Sequence, residues 1–168
     1  MDAKQIQSLP AGTLLTMFDL ILEELRRREL VRSSNNPTAD LAEAFAAKAL
    51  DLTLVGKASA GHDAVDSAGL RYQVKSRRIT AHNSSRQLSF IRDLEGKPFD
   101  FLIGVLFDAK FGVKRACLVP FDVVRRRSDF VPRVNGHRFL LRDDVWTEPT
   151  VRDLTQDIAQ AACGLGCE

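Results

Sequence analysis

Cysteine is scarce. The 168 residues hold three, Cys117, Cys163 and Cys167, an odd number with two at the tail. That excludes a disulfide-stapled scaffold and suits a reducing cytoplasm. Cys163-x-x-x-Cys167 has no second Cys/His pair at the spacing of a zinc site, so it reads as two tail thiols. Long apolar runs are missing too. None approaches the ~18–20 residues of a membrane span, and Met1–Gln7 lacks the charged start and apolar stretch of a signal peptide. There is no glycine-rich phosphate loop, since Gly164-Leu165-Gly166 is too short. Ser85 and Ser89 have no His and Asp patterned for a hydrolase triad. Net charge is also small: Lys plus Arg is 24, Asp plus Glu is 22, and the formal balance is +2. That balance does not announce a nucleic-acid binder.

What is present is an ordinary globular mixture, 45% hydrophobic and 27% charged, which excludes disorder and a coiled coil. The length suits one domain that buries roughly 70% of its unfolded surface without a disulfide or metal. Leu14, Leu15, Met17, Phe18, Ile21, Leu22 and Leu25 recur at helical spacing, predicting a helix over 12–30 whose stripe is core. A break over 33–37 ends in Asn36-Pro37, a cap and helix start, and a second helix follows over 37–50. Residues 52–55 read as a short strand. Residues 63–66 and 70–75 read as a hairpin about Ser67-Ala68-Gly69. A helix is expected over 86–94, a buried strand over 101–107 and another over 113–119. A short helix over 120–127, a strand over 138–141 after Asn135-Gly136, and a closing helix over 150–162 complete the order. The fold class is α/β in the α+β sense, one domain over 1–168.

The chemistry-bearing stretch is the hairpin. Period 2 puts Gln73 and Lys75 on one face of a strand. A turn centred near Ala68 sets Asp63 opposite Gln73 on that face, whereas a one-residue slip brings Asp66 there instead. A carboxylate, an amide oxygen and an ammonium then meet at one end of the hairpin. Phosphodiester hydrolysis uses such a group. A hard divalent cation takes oxygen ligands and keeps several waters, and a nearby lysine orients water and steadies charge. Glu43, on the preceding helix, is the candidate outer ligand.

Asp63…Gln73-Val74-Lys75 resembles the PD-(D/E)xK nuclease superfamily, whose restriction-endonuclease-like core runs αβββαβ. The order read above is similar over 37–120, with an extra helix over 12–30 and a C-terminal extension over 121–168. The run Gln73-Val74-Lys75-Ser76-Arg77-Arg78 is similar to Gln-x-Lys members and to bacterial proteins that share it. No proline precedes Asp63, and Gln73 is uncharged where most members carry an acid. The resemblance implies Asp63 as metal carboxylate, Gln73 as carbonyl ligand, Lys75 as catalytic lysine and Glu43 as the helix acid, with Asp66 the register alternative. It implies Mg²⁺ or Mn²⁺ as cofactor and DNA as substrate, with RNA the rival and a homodimer where both strands are cut. Ser76, Arg77 and Arg78 would contact backbone phosphates, which position without reading sequence.

Plainer readings stand beside these. Asp63 caps a turn, Gln73 and Lys75 face solvent on an edge strand, and Glu43 is a solvated helix residue. Asp66 bonds its own backbone. His62 and His82 are surface residues, His137 belongs to a turn, and Trp146 is a packing anchor. Arg26–Arg28 are a solvated face, and Arg125–Arg127 are the next candidate for phosphate contact. The rival from another class is a nuclease-fold module that binds nucleic acid or a protein without turnover.

Overall fold

The computed structural model describes residues 2–33, 36–56 and 61–166. Cys167 and part of the expected break at 33–37 lie outside them.

A short helix α1 (Ala3–Gln7) precedes α2 (Ala11–Arg27), which starts after Pro10 and ends with Arg26 and Arg27 in its last turn. Cations suit the carbonyl end of a helix. Helix α3 (Thr38–Leu50) stops at Asp51, whose φ of 52° and ψ of 49° are left-handed. Strands β1 (Thr53–Leu54), β2 (Ala64–Val65) and β3 (Arg71–Arg78) pair antiparallel in turn. Strand β4 (Phe101–Phe107) runs parallel to β3, and β5 (Val113–Pro120) runs antiparallel to β4. Helix α4 (Phe121–Arg127) is followed by a separate two-stranded ribbon, β6 (Asp129–Val131) with β7 (Gly136–Arg138). Strand β8 (Arg152–Asp153) joins the far edge and α5 (Thr155–Gly164) closes the chain. The main sheet has the order β1-β2-β3-β4-β5-β8. This is a mixed α/β fold, as the element pattern predicts.

Strand β4 is apolar throughout because both its faces are covered. Ile103, Val105 and Phe107 point into a core with Phe45 and Ala46 of α3 and Ile158 and Ala162 of α5. Leu102 and Leu106 point the other way, among Leu88, Ile91, Phe139 and Leu141. The C-terminal extension therefore completes both cores.

Four expectations need correction. The α2 stripe is not core: only Leu22 is buried, while Leu15 is 70% and Ile21 54% exposed. The helical spacing is real, but the sheet's two faces are covered by other elements. No α-helix forms over 86–94, so β3 passes to β4 without the second helix of an αβββαβ order. Leu88 and Ile91 are buried at helical spacing. However, their N–H groups donate to Phe139 and His137 carbonyls at 3.1 and 2.9 Å, and this tertiary pairing replaces the helix. Only one 3₁₀ turn, Leu94–Gly96, follows. The expected strand over 138–141 is displaced to β7, Gly136–Arg138, because Phe139 and Leu141 bond back to residues 86–88. The closing helix starts at Thr155 because residues 152–153 extend the sheet, and Asp153 Oδ1 accepts from the Thr155 N–H at 2.8 Å. Among the described residues no helix is long and apolar enough to cross a membrane.

Candidate functional site

Strand β2 covers little of β3. The register is Ala64↔Tyr72 and Val65↔Arg71, and the Asp63 N–H still donates to the Tyr72 carbonyl at 2.8 Å. Beyond that point the outer edge of β3, from Gln73 to Arg78, has no strand partner among the described residues. An open edge leaves backbone groups unpaired. The Asp63 carboxylate fills the first gap: its Oδ2 accepts from the Val74 N–H at 2.7 Å and from Gln73 Nε2. Asp63 is thus opposite Gln73. Asp66 is elsewhere, closing the turn by accepting from the Ala68 and Leu70 N–H groups, each at 2.9 Å, and from the Tyr72 hydroxyl at 3.0 Å. The slipped register does not form.

A cleft of about 500 Å³ runs along this edge, and Glu43, Asp63, Gln73, Lys75, Ser76, Arg77 and Arg78 all line it. Glu43 enters from α3 and the others from the fork between β2 and β3. Lys75 lies beside Gly104 in the parallel register, where a Cβ on the glycine would meet Leu141 Cδ2 at 2.8 Å. Gln73 and Lys75 also line a second cavity, of about 410 Å³, with Phe90 and Arg92.

Burial shifts the titration of the group. It pushes the Asp63 carboxyl up, opposed by the Val74 hydrogen bond and the Lys75 charge. It also pushes the Glu43 carboxyl up, opposed by Arg32, whose Nη2 donates to Glu43 Oε2. The Lys75 ammonium is pushed down by burial, with Asp63 and Glu43 opposing. Charged forms in a dry site are costly unless paired.

The basic run is held in three ways. Ser76 Oγ donates to the Thr38 carbonyl at 3.1 Å, and Arg77 Nη2 donates to Asn83 Oδ1 at 3.2 Å. Arg78 donates to the Ala109 carbonyl and lies 4.1 Å over the Phe111 ring. Neither arginine is paired with a carboxylate among the described residues. The other clusters are tied to carboxylates. Arg26, Arg27 and Arg28 pair with Glu23 and Glu24. Arg125 pairs with Glu95, Arg126 with Glu148, and Arg127 with Asp144 and Glu148.

Of the remaining candidates, His62 lines a small cavity beside Asp63, His82 is exposed, and His137 packs 5.1 Å from Phe130. Trp146 carries the Arg115 guanidinium 3.8 Å over its ring. Sequence reasoning missed Arg32 and Asp40. Asp40 is in the first turn of α3 yet only 6% exposed, accepting from the Arg32 N–H and Ser33 Oγ at 2.8 Å each. An acid in a first helical turn was the available signal; nothing in the pattern marked Arg32. Among the described residues no group of three His, Cys, Asp or Glu is set to hold a metal. No protein-family model and no curated protein matches the chain.

Proposed function

We propose that this cleft is a metal-dependent phosphodiesterase site acting on DNA. One observation carries the reading: Asp63, Gln73, Lys75 and Glu43 line one cleft at an open strand edge, and the unneutralised Arg77 and Arg78 continue along it. The donors suit a hard cation. Asp63 Oδ1 has no hydrogen-bond partner among the described residues, and Gln73 brings an amide oxygen. Mg²⁺ and Mn²⁺ accept such a set and keep several waters. Asp63 and Gln73 would hold the ion, with Glu43 behind them. When bound it would polarise the phosphate and acidify a water.

The chain's own groups do the rest. Arg77 and Arg78 hold the backbone phosphates and fix the strand along β3. Lys75, its ammonium destabilised by burial, donates a hydrogen bond to the attacking water or to a non-bridging oxygen as charge develops there. Asp63 is fixed by the Val74 N–H through one oxygen, which leaves the other for the ion. Cutting both strands would take two copies.

A second reading has its own support. Gln73 is uncharged, and its Nε2 donates to the same Asp63 oxygen that the Val74 N–H already occupies. That favours a module that binds nucleic acid without turnover. Cleavage of plasmid, single-stranded DNA and RNA with Mg²⁺ or Mn²⁺ decides between them. Wild type cuts DNA, while Lys75→Ala loses about 10²–10³ in rate and keeps its melting temperature. No cleavage by wild type selects the binding module; equal cleavage by the variant removes Lys75 from the chemistry.

A further inference from the structure

The second cavity, of about 410 Å³, meets the cleft at Gln73 and Lys75, which line both. A short paired segment builds one wall. Ile91 and His137 exchange two backbone hydrogen bonds, at 2.9 and 2.7 Å, and the Ile91 side chain is buried. In extended chain the neighbours of an inward residue turn to the other side, and Phe90 and Arg92 both reach the cavity. Gly136 makes room for Phe90, since a Cβ on that glycine would meet Phe90 Cβ at 3.2 Å. Pro98 adds a further apolar wall. Gly61, with a φ of 90°, lies so close to it that a Cβ there would meet Pro98 Cβ at 2.4 Å.

The polar lining is mixed. Gln73 brings an amide, Lys75 and Arg92 bring cationic donors, and Asp93 brings a carboxylate. Neither Arg92 nor Asp93 is in an ion pair among the described residues. Lys75 serves the reacting phosphate, so the cavity's own charges are Arg92 and Asp93, one of each sign. A carboxylate accepts from the amino group of a base and repels a phosphate oxygen. A nucleobase suits the whole lining, because its faces are apolar and its edge carries both donors and acceptors. Proteins that hold single strands join a basic stretch along the backbone to an aromatic ring on which a base stacks. Here the basic stretch is Arg77 and Arg78, and the ring is Phe90.

We infer that this cavity receives an unpaired base of single-stranded DNA, stacked on Phe90, next to the phosphate held at Lys75. Duplex DNA reaches it only by extruding a nucleotide, which costs that nucleotide its pairing and stacking. The inference rests on the phosphodiesterase reading of the cleft, and it names the form of the substrate.

Fluorescence anisotropy in EDTA, where nothing is cut, compares a labelled single-stranded oligonucleotide with the duplex of the same sequence. Wild type binds the single strand the more tightly. Phe90→Ala loses about tenfold on the single strand, as for one lost base stack, and leaves duplex binding unchanged. Phe90→Trp keeps the single-strand binding. Its added indole is quenched by the single strand and not by the duplex, over the Trp146 background measured in wild type. A wild type that prefers duplex overturns the inference. So does a folded Phe90→Ala that binds the single strand as well as wild type, or that loses equally on both. If Phe90→Ala does not fold, the indole decides: no quenching in Phe90→Trp overturns the inference. A wild type that cuts nothing with Mg²⁺ or Mn²⁺, yet shows the Phe90-dependent preference, keeps the base pocket and removes the phosphodiesterase reading. No binding of either oligonucleotide overturns the inference together with the DNA reading.

Discussion

At the scale of single residues, burial works against the charges of Glu43, Asp63 and Lys75, and this has a pH signature. The folded Asp63 carboxyl lies above its ordinary 3.8. Between those two values the folded chain binds more protons than the unfolded one. Stability contributed by Asp63 is therefore present below 3.8 and lost as pH rises through the folded value. Asp63→Asn keeps an oxygen for the Val74 N–H and removes the titration. Its melting temperature relative to wild type should rise with pH from about 3 and then level off, as thermal melts would show. A flat difference across that range would mean that Asp63 ionises as it does in water. Arg32 sets the opposite lesson. It stands in a break between helices with no periodicity to mark it, and only the folded chain brings it to Glu43.

At the scale of elements, β4 and α2 behave in opposite ways although both read as apolar. Gly104 lies at the middle of β4 with no room beyond it, since Leu141 occupies the place of a Cβ. Gly104→Ala forces that leucine aside and should cost about 1–3 kcal/mol, read by denaturant unfolding. Helix α2 is nearly the reverse. Leu15→Glu and Leu20→Glu change side chains that are 70% and 62% exposed, and each should shift stability by no more than about 0.5 kcal/mol. A large loss at either position would place that face of α2 in contact with the rest of the fold. The missing helix over 86–94 belongs to this scale too. Leu88 and Ile91 are correctly seen as inward residues, but a spacing of three does not distinguish a helix from a ribbon whose hydrogen bonds go to another segment.

At the scale of the whole molecule, three arginine clusters share a small net charge and differ in what surrounds them. Two are tied to carboxylates; the one on β3 faces the cleft with its charge uncompensated. Nucleic-acid affinity should fall with salt at a log–log slope of about −0.9 per phosphate contact on duplex DNA. Charge reversal at Arg77 and Arg78 should weaken binding to all sequences alike and flatten that slope, whereas reversal at Arg125 and Arg126 should do neither. Fluorescence anisotropy over a salt series checks both. A slope unchanged by the first pair would move the contact surface off β3.

The sequence by itself determined the local features. Period 2 put Gln73 and Lys75 on one face, the glycine turn narrowed the carboxylate opposite Gln73 to Asp63 or Asp66, the apolar run 101–107 made a central strand, and Asn36-Pro37 opened α3. These follow from short-range sterics and patterning, which act within a few residues. Only the tertiary structure decided which apolar helix is buried, where the hydrogen bonds of 86–94 go, which arginines keep their charge, and that Arg32 closes on Glu43. Each depends on which distant surface arrives at that place. Burial, ion pairing and desolvation belong to the assembled neighbourhood and leave no periodicity in the chain.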